Sequence, residues 1–73
     1  MKLQIITPQG IRHNGEASRV QFRSAQGLME VLDGHAPMIA ELRAGTVTTD
    51  AETFDCGDGV VKVENNEVKI ICE

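Results

Sequence analysis

Apolar residues alternate with polar ones along most of this chain, and the period is two. Leu3 and Ile5, Val20 and Phe22, Val61 and Val63, and the trio Val68, Ile70 and Cys72 are each separated by one residue. That spacing sets side chains on one face of a strand. No stretch of ten or more residues keeps a helical period. Turn signals interrupt at Pro8-Gln9-Gly10, Asn14-Gly15, Gln26-Gly27, Asp33-Gly34, Ala44-Gly45, Gly57-Asp58-Gly59 and Asn65-Asn66, at roughly 8 to 12 residue intervals that suit a sandwich or barrel. The pattern predicts strands over Lys2–Thr7, Ile11–Ala17, Arg19–Arg23, Leu28–Leu32, Met38–Leu42, Thr46–Thr49, Thr53–Cys56, Val60–Glu64 and Glu67–Cys72. Asn65-Asn66 reads as a two-residue hairpin turn, because Asn tolerates the positive φ such a turn demands. The expected class is all-β, a flattened sandwich or barrel of nine to ten short, mainly antiparallel strands.

Composition narrows the setting. Seventy-three residues without linker, repeat or low-complexity segment make one expected domain, 1–73. A fold of this size buries only ~60% of its unfolded surface, so docking on a partner is an expected source of stability. Seven basic residues stand against 11 acidic ones, with no Trp or Tyr, which leaves neither a basic stripe nor a stacking platform for nucleic acid. No apolar run approaches the ~18 to 20 residues that span a bilayer, and MKLQIITP lacks the apolar core of a signal peptide. The expectation is a cytoplasmic chain that meets membranes only through protein partners.

Candidate chemistry is sparse. Ser18 and Ser24 lack a nucleophile elbow, and Gly57-Asp58-Gly59 is too short for a nucleotide loop and leads into a strand. Cys56 and Cys72 form no C-x-x-C, and His13 and His35 are at unsuitable spacings, so no metal site is expected. A disulfide between the two is open geometrically, but a cytoplasmic chain keeps such thiols reduced, and the plain reading is two buried strand residues. Asp50, Glu52, Asp55 and Asp58 gather around two turns. They read as a solvated face that protects edge strands rather than as a calcium loop, whose ligands are denser. His35 admits three readings: a satisfied structural ring, an interface hydrogen-bonder, or an acid/base catalyst with only Asp33 near in sequence. Leu28 and Met29 follow an exposed turn; both could point into the core, but successive strand residues face opposite ways, which would leave one outward.

Between the apolar runs lies the most constrained segment, Asp33-Gly34-His35-Ala36-Pro37. Gly34 can take positive φ, while Pro37 fixes its own φ and pushes Ala36 toward extended geometry. This corner resembles the Pro-Gly-His-Ala-Pro corner of the epsilon subunit of the F-type ATP synthase. Other motifs fall in that family's order: the opening strand Leu3 to Gly10, Gly15-Glu16-Ala17 before Val20, Arg43-Ala44-Gly45-Thr46-Val47, and the closing hairpin of Gly57 to Val63 with Asn65 to Ile71. The chain departs from the family at Asp33, where Pro is usual, at Leu28, where Glu is usual, and at Asp58, where a small flexible residue is usual.

The resemblance implies the amino-terminal sandwich of an epsilon subunit, about ten strands in two sheets. It also implies a non-catalytic rotor part without cofactors, on the cytoplasmic face of a bacterial membrane. By position it implies a contact with the gamma subunit near Thr7, His35, Met38 and Ala40, with Met38→Asp weakening that contact and sparing the fold, or unfolding the chain if Met38 is core. It implies a contact with the ring of c subunits at Ala25, Gln26, Gly27, Leu28 and Met29, and a structural role for Gly34 and Pro37. Family members usually continue past the position of Glu73 into a helical hairpin that can restrain hydrolysis or bind ATP, so neither inhibition nor nucleotide binding is implied for these residues. Another class of reading is a free-standing sandwich adaptor that binds an unrelated cytoplasmic protein.

Overall fold

Each predicted strand forms. In the computed structural model, which describes residues 1–73, the chain runs β1 (Lys2–Thr7), β2 (Gly10–Glu16), β3 (Arg19–Ser24), β4 (Gly27–Leu32), β5 (Met38–Leu42), β6 (Gly45–Thr49), β7 (Thr53–Cys56), β8 (Gly59–Glu64) and β9 (Glu67–Cys72), with no helix. The strands hydrogen-bond in the order β2-β1-β9-β8-β5-β3-β6-β7, with β4 on the free side of β3. Neighbours are antiparallel except β1 and β9, which run parallel with Lys2 opposite Glu67 and Ile5 opposite Ile70.

The sheet curls into two layers where β5 gives way to β6. Ser24 of β3 opposes Leu42 of β5, while Val20 and Gln21 oppose Thr49 and Thr48 of β6. One layer is thus β2-β1-β9-β8-β5 and the other β4-β3-β6-β7. Alternation turns one set of side chains from each layer inward. Leu3, Ile5, Val61, Val68 and Ile70 meet Val20, Phe22, Val31 and Val47, all fully buried. Removing the largest of these, by Phe22→Ala, costs about 3 to 5 kcal/mol.

Turn chemistry follows from short polar residues. Asn65 and Asn66 sit at φ 52° and 56°, as a two-residue hairpin with the strands' twist requires. Three other hairpins share one device. The hydroxyls of Thr7, Ser24 and Thr49 donate to the carbonyls of Gly10, Gly27 and Glu52, at 3.3, 2.8 and 3.2 Å. Each also accepts the N–H two residues on, from Gln9, Gln26 and Ala51. Ser24 and Thr49 are the buried polar residues of the molecule, and these bonds are what make their burial tolerable.

The outer strands of the path, β2 and β7, face each other without a backbone ladder. A register shift between Ile5 and Ile6 makes Arg12 the extra residue of a bulge on β2, and its guanidinium donates to the Asp55 carbonyl of β7. Bulges re-aim side chains in this way. Beside it the rings of His13 and Phe54 pack together.

Candidate partner-docking surfaces

The Asp33–Pro37 corner joins β4 to β5. Gly34 sits at φ 77°, in the left-handed region that glycine enters without strain. Its N–H donates to Asn66 Oδ1 at 2.9 Å, and the His35 N–H donates to the Leu32 carbonyl at 3.1 Å. His35 is half-buried, with Nδ1 2.7 Å from the Ala36 carbonyl. Asp33 turns away from it and accepts from the Met1 amino group, which also donates to the Ala17 carbonyl at 2.9 Å. His35 thus lacks the one carboxylate that sequence proximity offered as a catalytic partner.

Along β5, Met38 and Ala40 lean on the core and Ile39 is 73% exposed between them. Met38 is thus half-buried against the core, and alternation gives the exposed place to Ile39. Thr7 lies at the diagonally opposite corner of this layer. Met38 opposes Val63 and so Val68 and Leu3, whereas Thr7 follows the row of Glu41, Val60, Ile71 and Ile6. The four residues expected to meet gamma do not form one patch; they span the layer.

What lies between them is an outward apolar row that sequence reading missed. Ile11 opposes Ile6, Ile6 opposes Ile71, and Ile71 opposes Val60, so four aliphatic side chains cross four strands in line. Ile11, Ile71 and Val60 are exposed and Ile6 is half-buried. The next row along is Gln4, Lys69, Lys62 and Ile39. Three aliphatic pairs carried the signal: Ile5-Ile6, Val60-Val61 and Ile70-Ile71. In a strand, one member of such a pair must face outward.

At the strand end opposite the Asp33–Pro37 corner, where Ser24 pairs with Leu42, the β3–β4 hairpin projects. Ala25 and Gln26 form its tip, held by the Ser24 hydroxyl, and Gly27 begins β4. Leu28 is 67% exposed, while Met29 packs on the core. The outward member of that pair is Leu28. Gly27 to Met29 and the tip form one contiguous protrusion.

No chemistry converges anywhere else. No three His, Cys, Asp or Glu side chains gather as a metal site would require. Cys56 and Cys72 are buried free thiols, and burial together with the neighbouring Cys72 pushes Cys56 up to about 11, far from the reactive thiolate range. No helix is long and apolar enough to cross a membrane.

Comparison with known proteins places these surfaces in context. Residues 1–73 match the family described as ATP synthase, Delta/Epsilon chain, beta-sandwich domain. The ATP synthase epsilon chain of Gloeothece citriformis is 37% identical over 75 residues, covering 97% of this chain and 54% of its own length. That of Chlorobaculum tepidum is 34% identical over 76 residues, covering 97% of this chain and 86% of its own. The chain thus spans about half of the first relative and most of the second. Its backbone also matches a chain in the central stalk and c-ring structure of the Tetrahymena thermophila mitochondrial ATP synthase, with a TM-score of 0.84 at 17% identity, over 99% of this chain and 62% of that one. At that identity the likeness concerns the fold.

Proposed function

The chain belongs to the ATP synthase epsilon-chain family through that family's beta-sandwich domain, and from that membership we propose that it is a rotor piece that grips gamma on one face and the c-ring with one hairpin. The epsilon chain is a stalk subunit and not the catalytic one. In this reading the sandwich acts as a rigid spacer, so that torque from the ring reaches gamma without slip. It stays on the cytoplasmic side of a bacterial membrane, held there by protein contacts.

The apolar row Ile11, Ile6, Ile71 and Val60 is the observation that carries the gamma assignment. Side chains of this kind gain ~25 cal/mol for each Å² removed from water. The molecule exposes 4245 Å² in all, against ~800 Å² per partner in a standard interface. Two partners therefore fit on separate parts of the surface. The outer face between Thr7 and His35 suits gamma, and the Ala25–Met29 protrusion suits the ring.

The test is recovery of a tagged chain from its own cells. The wild type brings down alpha, beta, gamma and c subunits, and Ile71→Asp with Ile39→Asp loses gamma while remaining folded. Recovery of an unrelated protein, with no ATP synthase subunit, would establish the adaptor reading instead.

A further inference from the structure

One groove is lined by arginines in a chain that is acidic overall, with Glu41 on Arg43 and Asp58 on the Ala44 N–H at its rim. The chain has a net charge of −4, yet the groove between the β3–β4 hairpin and the turn from β5 to β6 has two arginines and no acid among its 10 lining residues. Arg23 and Arg43 are held as neighbours, because the Arg43 N–H donates to the Arg23 carbonyl at 2.8 Å. The Arg23 stem lies over Gly45, its Cδ 3.2 Å from where a Cβ would stand. Arg43 meets Glu41 at 3.5 Å on the rim, with both side chains more than half exposed. Arg23 has no such partner. Opposite Arg23 in the β3–β4 ladder stands the exposed Leu28.

We propose that this groove receives a carboxylate-bearing turn of a protein partner, with the acid between the Arg23 and Arg43 guanidiniums and an apolar neighbour against Leu28. The planar, multi-donor guanidinium suits a carboxylate. The volume, about 780 Å³, admits a peptide turn and is far larger than a single ion needs. Gln21, Thr46 and Thr48 along the wall supply neutral hydrogen-bonding groups for a peptide backbone. An anionic bilayer is a poorer fit, since each cation near it contributes only ~1 kcal/mol and the remaining surface repels it. The inference rests on the rotor reading only for the address of the partner, which is then an exposed loop of the ring subunit.

The test measures binding of the full chain to the detergent-solubilised c-ring of the same organism, and separately to phosphatidylglycerol vesicles. The wild type should bind the ring, more weakly as salt rises. Arg23→Glu with Arg43→Glu should bind at least about tenfold more weakly, and Arg→Lys at both positions should recover part of the loss. Replacing the loop acid of the ring by Lys should restore binding to the double Glu variant. Lys62→Glu with Lys69→Glu, on the other layer, should bind as the wild type does. Thermal melts check that each variant is folded, and Arg→Gln at both positions serves if the Glu variant is not. Ring binding unaffected by loss of both arginines, or a ring loop without any acid, overturns the proposal and leaves the rotor reading intact. Binding to vesicles but not to the ring overturns it in favour of a lipid surface. Binding to neither overturns it together with the ring contact, and the recovery of gamma then decides the rotor reading alone.

Discussion

The rings of His13 and Phe54 lie 4.7 Å apart, tilted by 49°, across a gap between two strands that share no backbone ladder. With Glu52 Oε2 3.8 Å from His13 Nδ1 and Arg12 on the Asp55 carbonyl, side chains alone hold β2 to β7. Phe54→Ala should cost about 2 to 3 kcal/mol, below the range for a fully buried ring because Phe54 is only half-buried. A double-mutant cycle with His13→Ala, read by urea unfolding, should yield a coupling of about 0.5 to 1.5 kcal/mol. Strict additivity would mean the contact holds nothing.

Stability should decline on both sides of a neutral plateau. The Met1 amino group, hydrogen-bonded to Asp33, has its pKa raised above the ordinary 8.0. Its contribution is therefore full below about pH 8 and is lost as pH climbs through the folded value. Asp50 behaves in the opposite sense. The Ser18 N–H, 3.0 Å away, lowers its pKa below the ordinary 3.8, so its contribution is present above that value and disappears as pH falls through the folded one. Thermal melts across pH 3 to 10 check both limbs. Asp33→Asn should flatten the alkaline limb, and Asp50→Asn should soften the acid one; an alkaline limb that survives Asp33→Asn would exclude the amino group as its source.

Adjacent residues of β5 should respond oppositely to the same change. Met38→Asp puts a charge against the core and should destabilise by about 2 kcal/mol or more. Ile39→Asp should shift stability by no more than ~0.5 kcal/mol while reducing gamma capture. Equal melting temperatures for the two variants would contradict the packing described for Met38.

At Gly59 the backbone of β9 occupies the space a side chain would need. A Cβ there would sit 2.0 Å from the Ile71 carbonyl oxygen and 2.7 Å from Cys72 Cα, and backbone cannot yield as a side-chain end can. Gly59→Ala should cost at least about 3 kcal/mol or prevent folding, as judged by circular dichroism. Gly10, with nothing within 4 Å of its Cβ position but φ at 117°, meets no clash and should lose about 1 to 3 kcal/mol on Gly10→Ala through backbone strain alone.

Most of the local structure was legible, because alternation and turn residues are local signals. Lys2–Thr7, Met38–Leu42, Thr53–Cys56 and Glu67–Cys72 begin and end where the pattern put them. The parallel pairing of β1 with β9 was not legible, since nothing in either strand names a partner 65 residues away. The surfaces were half legible. Leu28 or Met29 had to face outward, and the ladder decides for Leu28. The aliphatic pairs were read for their buried members alone, so the row formed by Ile6, Val60 and Ile71 emerged only with the register. The bond of Asp33 to the Met1 amino group crosses 32 residues, beyond the reach of any local pattern.

The parallel seating of β1 beside β9 also governs how the molecule comes into being. On a translating ribosome the first strand can find β2 almost at once, but its other edge stays bare until residues 67–72 have emerged. Closure across so long a span makes folding slow, on the millisecond to second scale of β-rich domains. Through that interval Leu3 and Ile5 lie open, and a nascent chain stalled before Glu67 is a sticky one.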